Sequence, residues 1–422
     1  MLDQFFSQVS FVDIFNFCVF LAFTICYTYQ LYYVFVVLTR KPKQLVAKKN
    51  HKFAVVISAR NESAVIGQLI HSIKVQNYPS ELIDVFVIAD NCTDNTADVA
   101  REAGATVFPR FNSEQVGKGY ALDYGFNVIL SQYADRGYEA YFVFDADNVL
   151  DVNYFREMNK TFDNGAVAST SYRNSKNYDS NWISAGYAVW FLREAKFLNQ
   201  ARLTLNTSCA ISGTGFFISA KVIERNGGWK WHLLTEDIEF SANSILEGER
   251  ISYTPTAILY DEQPITFRDS WNQRFRWAKG FYQVFWHYGA RLAKGIVTNP
   301  KQPLRVLRHA HDHCARHAAD HHQRHVQRHH HRAGCGGHDV DGRHGGLVGV
   351  VDLLLPDELS GVHVHVRRTY HVRGMGLHPL HHGEEDSLHV HVPVLHADVR
   401  AHCTGGVGEE VQLEAHQALH QR

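Results

Sequence analysis

The sequence has few cysteines for its length, no dominant charge and no internal repeat. Its 422 residues include seven cysteines, and no two of them form a Cys-x-x-Cys pair. This spacing argues against a disulfide framework or a zinc knuckle and predicts reduced thiols. A formal net charge of -1 gives no indication of a nucleic-acid partner. A chain of this length is nevertheless long enough to bury a large core in two or three domains.

A second set of absences divides the chain near residue 308. Phenylalanine, tryptophan, isoleucine, lysine and asparagine do not occur after this point, and Tyr370 is the last aromatic ring. The same segment carries 24 of the 28 histidines. The two parts therefore differ so strongly in composition that each needs its own interpretation.

Near the start, residues 14–38 form an uncharged apolar stretch, IFNFCVFLAFTICYTYQLYYVFVVL. About 20 such residues suffice to cross the hydrocarbon core of a bilayer, so the stretch predicts a transmembrane helix. A helix buried in a protein core is the alternative. The short segment 1–13 before it carries only acidic charges, whereas the linker 39–52 after it is basic. The positive-inside rule then predicts that the bulk of the chain is cytosolic.

Between about residues 50 and 290, short apolar runs alternate with helical patterns. FAVVISA (53–59), LIDVFVIAD (82–90) and YFVFDAD (141–147) predict buried strands. Strands that alternate with helices at this pitch predict an α/β domain with a largely parallel sheet covered on both faces. Such sheets bind ligands beyond the carboxyl ends of their strands.

Carboxylates lie at these predicted strand ends. Asp90 ends one strand, and Asp145 and Asp147 end another. Two carboxylates two residues apart can address one divalent cation and its bound phosphates, which suits Mg²⁺ or Mn²⁺. Each motif alone is equally compatible with solvated loop residues or, for Asp90, with a cap on the following helix.

Two further motifs follow in the second half of the predicted domain. HLLTEDIEF (232–240) places a Thr-Glu-Asp run at the start of a predicted helix, where a plain N-cap is the alternative interpretation. In DSWNQRFRWAKG (269–280), a glutamine, an arginine and a tryptophan fall on successive helical turns and can face one site. A guanidinium and an indole N–H could hold a diphosphate there. A basic, aromatic helix at a membrane surface is the alternative, and the two interpretations are compatible.

The order of these motifs resembles the family 2 glycosyltransferases with a GT-A fold, a Rossmann-like nucleotide-binding α/β fold. It is most similar to the membrane-bound synthases of cellulose, hyaluronan, chitin oligosaccharides and poly-N-acetylglucosamine. The resemblance implies a catalytic domain over residues 53–265 and further helices over 266–307. It also implies a metal-dependent, inverting transfer from a nucleotide sugar such as UDP-GlcNAc or UDP-glucose. The implied acceptor is a saccharide or a lipid at the cytosolic face of the cell membrane.

The resemblance also implies a role for each matching position. Asp237 matches the general base, and Asp145 and Asp147 match the pair that holds the nucleotide diphosphate and its Mg²⁺ or Mn²⁺. VIADNCTDN stands where many members have Asp-Asp-Gly or Asp-Gly-Ser, which leaves Asp90 at the position that contacts uracil. The other implied positions are Lys118, Gln273, Arg276 and Trp277 on the donor side and Gly213, Thr214, Gly215, Thr235 and Glu236 on the acceptor side.

The tail over residues 308–422 departs from this family, whose members continue with apolar membrane helices. Isoleucine, methionine and threonine codons begin with AT or AC, and they become the histidine codons CAT and CAC when read one base early after a C. We therefore interpret the tail as an out-of-frame translation of the expected membrane segment, and we expect it to be unstructured. A genuine histidine-rich metal tract on an inert transferase domain is the alternative.

Overall fold

The computed structural model of the chain describes residues 11–298. The tail over residues 308–422 lies outside the described residues, and so do the predictions made for it. The described strands are β1 (Phe53–Ala59), β2 (Ile83–Asp90), β3 (Thr106–Arg110), β4 (Ala140–Asp145), β5 (Val149–Leu150), β6 (Ala168–Ser175), β7 (Phe216–Ser219) and β8 (Ile251–Asp261). The described α-helices are α1 (Phe11–Thr39), α2 (Ile66–Lys74), α3 (Thr96–Glu102), α4 (Lys118–Gln132), α5 (Tyr154–Asp163), α6 (Trp182–Arg193), α7 (Gln200–Thr204), α8 (Ala220–Arg225), α9 (Glu236–Leu246) and α10 (Phe267–Thr298).

The strands form one sheet in the order β3-β2-β1-β4-β7-β6-β8-β5. The first four are parallel, as predicted, and Val55 of β1 pairs with Val85 of β2 and Phe142 of β4. The second half is mixed, because β7 runs antiparallel to both β4 and β6. The segment before β7 passes the carboxyl end of β4, where the Gly215 N–H donates to the Val143 carbonyl at 3.0 Å. The chain must therefore run back along β4, which corrects the expected parallel order.

Helices cover both faces of the sheet, and each face buries its own apolar layer. Along β1, Ala54 and Val56 belong to one buried cluster, whereas Phe53, Val55 and Ile57 belong to the other. This division follows from the alternation of side chains along a strand, and continuous apolar runs are typical of strands buried on both sides. The prediction of an α/β sheet covered on both faces is confirmed.

Helix α1 occupies the stretch for which the sequence predicts a transmembrane helix, residues 14–38. Among the described helices, however, none combines the length and the apolar character that crossing a membrane requires. The assignment of residues 14–38 of α1 as a transmembrane helix stays a prediction. In its last turns, Tyr33 and Val36 are buried against Leu198 and Ala201 of the catalytic domain.

The basic linker after α1 is fixed to the domain at the amino end of the sheet. The Lys48 N–H donates to the Asp163 carboxylate at 2.6 Å, and the Asn159 side chain donates to the Lys49 carbonyl at 2.8 Å. The chain therefore enters the sheet at the end opposite to the strand carboxyl ends, where the candidate site lies.

Candidate active site

The carboxyl ends of the parallel strands bring the predicted donor-side residues to one edge of the sheet. Asp90 ends β2, Asp145 ends β4, and Ser58 near the end of β1 pairs in register with Asp145. Asp147 lies in the turn that follows β4. Parallel pairing alone accounts for this grouping, because strands in one direction end on one side.

Lys118 connects the donor-side and acceptor-side motifs. It is the first residue of α4, and its Nζ donates to Oδ1 of Asp145 and, at 2.7 Å, to the Gly213 carbonyl. The same Nζ lies 3.6 Å from Oε1 of Glu236. One ammonium group therefore touches a carboxylate of the Asp-x-Asp motif, a carboxylate of the Thr-Glu-Asp motif and the glycine turn between them.

The glycine turn of residues 212–215 also holds Asp237. The Gly213 N–H donates to Oδ2 of Asp237 at 2.6 Å. Gly213 and Gly215 adopt φ angles of +78° and +67°, which L side chains rarely adopt. A Cβ on Gly215 would also lie 1.8 Å from Cδ2 of Leu259. Positions 213 and 215 therefore favour glycine, and the turn brings the backbone N–H of Gly213 close to the carboxylate of Asp237.

Burial sets the electrostatics of the Thr-Glu-Asp motif. Burial, with the charge of Asp237 adding to it, raises the pKa of Glu236 to about 7, although Lys118 opposes this rise. Burial likewise raises the pKa of Asp237, against the N–H donors of Ile238 and Gly213. Burial alone would lower the pKa of Lys118, but the carboxylates around it, Asp145 first, raise it above its usual value. The ammonium therefore stays charged among groups that it partly neutralises.

Asp145 and Asp147 are the predicted ligands of a divalent cation. Burial, with the neighbouring charges of Asp261 and Asp145 adding to it, raises the pKa of Asp147 to about 8. Over residues 11–298, no three histidine, cysteine, aspartate or glutamate side chains converge as a metal cluster. Two carboxylates still fit Mg²⁺ or Mn²⁺, because these ions complete their shells with water and substrate phosphates.

Asp90 is buried, and its carboxylate is already partnered. Arg110, at the end of β3, donates to Oδ1 of Asp90 at 2.5 Å, and both side chains are almost fully buried. A second guanidinium nitrogen donates to the Gln115 carbonyl at 2.8 Å and ties the next loop to this pair. The sequence interpretation missed Arg110. The signal that could have indicated it is an arginine at the end of the strand that follows Asp90 in the chain. The contact of Asp90 with a nucleobase stays a prediction.

A second group that the sequence interpretation missed lies beneath the glycine turn. Asn148 is fully buried, accepts from the Thr214 hydroxyl and donates to Asp261 at 2.8 Å. Arg173 also binds Asp261 and donates to the Ser212 carbonyl at 2.9 Å. These residues come from four separate segments, so no local spacing could have indicated them. Their hydrogen bonds to Ser212 and Thr214 fix the position of the glycine turn.

The three predicted residues of α10 do not share one environment. Trp277 packs edge-to-face on Tyr187 of α6, with ring centroids 6.0 Å apart. Oε1 of Gln273 is buried, and within the described part of the chain it has no hydrogen-bond partner. Arg276 is exposed. Their joint contact with a diphosphate stays a prediction.

Thr235 connects the Thr-Glu-Asp motif to α10. It stands at the N-cap of α9, yet its hydroxyl makes no capping hydrogen bond, so the plain N-cap interpretation does not describe its side chain. Instead it packs on Gly280, where a Cβ would lie 2.4 Å from Cγ2 of Thr235. Farther along, Tyr288 donates to Glu239 of α9 at 3.1 Å. Helix α10 therefore packs against the start of α9, the helix that carries Glu236 and Asp237.

The family model "Glycosyltransferase like family 2" matches residues 51–280, which include every predicted site residue. The chain belongs to glycosyltransferase family 2. It is therefore an enzyme of the glycosyltransferase class, and the family resemblance that the motifs predicted is confirmed. The roles of its individual residues remain predictions.

Curated relatives of this glycosyltransferase are identical to it at about a quarter of the aligned positions. A probable glycosyltransferase YdaM of Bacillus subtilis is 27% identical over 58% of this chain and 59% of its own length. A beta-monoglucosyldiacylglycerol synthase of Synechocystis is 25% identical over 55% of this chain and 48% of its own length. A poly-beta-1,6-N-acetyl-D-glucosamine synthase of Staphylococcus epidermidis is 26% identical over 61% and 63%. The chain thus spans about half to two thirds of these relatives.

Among solved structures, the mannosyltransferase PcManGT from Pyrobaculum calidifontis, in complex with GDP-Man and Mn²⁺, superposes with a TM-score of 0.50. The two proteins share 17% identity, over 80% of this chain and 89% of that one. This likeness concerns the fold alone, and it confirms the predicted α/β GT-A fold of the glycosyltransferase domain.

Proposed function

We propose that this glycosyltransferase transfers a sugar from a nucleotide donor, UDP-linked, to a growing polysaccharide with inversion at the anomeric carbon. Mg²⁺ or Mn²⁺ is the proposed cofactor, and the cytosolic face of a membrane is the proposed location. The polymer product draws on the likeness to the poly-beta-1,6-N-acetyl-D-glucosamine synthase.

The observation that carries the proposal is the placement of Asp237. The backbone N–H of Gly213 holds its carboxylate at 2.6 Å. The neighbouring residue Glu236 reaches the donor-side Asp145 through the ammonium of Lys118. A fixed carboxylate beside the donor carboxylates, but not among them, is the arrangement that a general base needs.

The proposed chemistry is a single displacement. Asp237 accepts the proton of an acceptor hydroxyl, whose oxygen bonds to the anomeric carbon as the bond from that carbon to the diphosphate oxygen breaks. Burial raises the pKa of Asp237, which makes its carboxylate a stronger base than an ordinary aspartate. Asp145 and Asp147 would hold the divalent ion, which supplies charge neutralisation to the departing diphosphate. One displacement converts an α-linked donor into a β-linked product.

The surface of α10 supports a location at a membrane. Its exposed side chains include Trp271, Phe275 and Trp286, and the last of these is 86% exposed. The helix carries several arginines and lysines but only one acidic residue, Asp269. Exposed aromatic rings together with excess positive charge favour the headgroup region of an anionic membrane.

The Asp237→Asn variant tests the proposal. Asparagine retains an oxygen that can accept from Gly213 N–H but cannot take a proton, so transfer should fall by about 10²–10⁴-fold. UDP affinity should change less than about threefold, because the donor-side residues are untouched. Asp98→Asn is the matched control, since Asp98 is an exposed partner of Arg101 on α3. Loss of UDP binding in Asp237→Asn would show that this residue serves the donor instead.

A single addition to a glycolipid is the second candidate function. It draws on the likeness to the beta-monoglucosyldiacylglycerol synthase. Product length separates the two: incubation with radiolabelled UDP-sugar and membrane lipid yields either a polymer series or one glycolipid band. A single band under donor excess would replace the polysaccharide proposal with this one.

A further inference from the structure

The ammonium of Lys118 contacts groups from three separate parts of the candidate site. An ammonium has three donors. Two of them reach Oδ1 of Asp145 and the carbonyl of Gly213, and Oε1 of Glu236 lies 3.6 Å away. The Lys118 side chain is 21% exposed, and that of Glu236 is 10% exposed. The ammonium therefore bonds to one oxygen of a carboxylate that a divalent cation would also use.

Two cations cannot both be close neighbours of one carboxylate oxygen without strong repulsion in a partly buried site. A charge-assisted hydrogen bond also occupies one of the lone pairs of Asp145, so fewer are available to a metal. A divalent cation at Asp145 therefore has to overcome the repulsion of the ammonium, and its binding favours a position of the ammonium farther from that carboxylate.

The surroundings provide a place for the displaced charge. Glu236 already lies within ion-pair distance of Lys118, and the lysine side chain is a flexible four-carbon chain. A short swing of Nζ about its bond to the Gly213 carbonyl would exchange Asp145 for Glu236. The positive charge would then stay inside the site and move toward the acceptor side.

We propose that Lys118 is a displaceable counter-ion that competes with the divalent cation for Asp145 and transfers to Glu236 when the metal and the nucleotide diphosphate bind. This inference rests on the proposed metal-dependent function. In consequence, metal affinity without nucleotide is held down by Lys118, and binding of the donor is coupled to the charge beside Asp237.

Mn²⁺ binding by the full chain without nucleotide, followed by electron paramagnetic resonance, tests the inference. Lys118→Met should bind Mn²⁺ about tenfold more tightly than the wild type, because the competing hydrogen bond is absent. Lys176→Gln is the matched control: this lysine also lowers the pKa of Asp147 through its charge, yet its ion-pair partner is Glu262. Its effect should stay below about threefold. Asp145→Asn supplies the blank for any Mn²⁺ bound outside the candidate site, including at the histidines of the tail.

The outcomes separate the inference from the function on which it rests. Equal effects in Lys118→Met and Lys176→Gln, or an unchanged affinity in Lys118→Met, would overturn the competition. Absence of Mn²⁺ binding above the blank in the wild type, even with UDP present, would overturn the metal-dependent function as well.

A second pair of variants covers the case in which Lys118→Met does not fold. Glu236→Gln removes the alternative partner of Lys118, and Asp237→Asn removes a neighbouring charge that Lys118 does not contact directly. Glu236→Gln should lower Mn²⁺ affinity at least threefold more than Asp237→Asn. An equal decrease in both would mean that only general charge matters, and the inference would be wrong.

Discussion

The contact between Thr235 and Gly280 makes a sharp prediction about how α10 supports Glu236 and the proposed base Asp237. A Cβ on Gly280 would lie 2.4 Å from Cγ2, 2.6 Å from Oγ1 and 3.0 Å from Cβ of Thr235. The threonine side chain is 6% exposed, so it has no open space to move into. In Gly280→Ala, α10 must therefore separate from the segment that carries Glu236 and Asp237.

The expected magnitude follows from two opposing terms. Overpacking a buried contact costs about 1–3 kcal/mol. Replacing glycine by alanine inside a helix stabilises it by about 1 kcal/mol. The net loss of stability should therefore be about 0–2 kcal/mol, and the protein should still fold. Activity should fall further, by about 10²-fold, because a shift of about 1 Å in a catalytic group is enough for such a loss.

The same helix provides the control. The nearest neighbours of a Cβ on Gly289 would be ring atoms of Phe285, at 3.4 Å, which is ordinary van der Waals contact. Gly289→Ala should therefore stabilise the protein by about 0.5–1 kcal/mol and leave transfer unchanged. The assays are thermal unfolding and initial rates of sugar transfer. If Gly280→Ala keeps full activity and gains stability as Gly289→Ala does, then the proximity of α10 does not position the catalytic residues, and the reasoning fails.

Two further predictions concern buried charges. Arg110→Ala leaves Asp90 buried without its cation, so the protein should lose about 3–5 kcal/mol of stability and bind nucleotide more weakly. Chemical denaturation measures the stability, and UDP titration measures the nucleotide affinity. A loss of stability below about 1 kcal/mol would contradict the pairing of Arg110 with Asp90. The pKa of Glu236 is raised to about 7 in the folded state, so the wild type should lose stability relative to Glu236→Gln as pH rises from about 4.5 to 7. Denaturation of both proteins across this range checks the sign, and parallel stability curves would refute the assignment.

Much of the fold was predictable because several of its strands are short, continuous apolar runs that can be recognised from neighbouring residues alone. The interpretation of residues 53–59 as a strand matches β1 at both ends, and residues 82–90 match β2 to within one residue. Continuous apolar runs of this length have few alternatives between turn signals. The reversed strand β7 was not predictable, because its direction depends on where residues 212–215 cross the end of β4.

The candidate site was predictable only where its residues fall into short motifs. Asp145 and Glu236 come from two such motifs, and the structure brings them to one ammonium. Asn148, Arg173 and Asp261 form an equally close network, yet they lie in three separate segments. Contacts between segments far apart in sequence depend on the folded arrangement, and a single sequence carries no record of it.

The turn of residues 212–215 explains why donor-side and acceptor-side motifs act as one unit. Thr214 accepts from the backbone N–H of Asp145 at 2.9 Å, which ties the turn to the end of β4. The preceding residue is Gly213, whose N–H donates to Asp237 and whose carbonyl accepts from Lys118. Any movement of the turn therefore changes the position of Asp145 and Asp237 together. A donor that displaced this backbone would therefore also move Asp237, the proposed base.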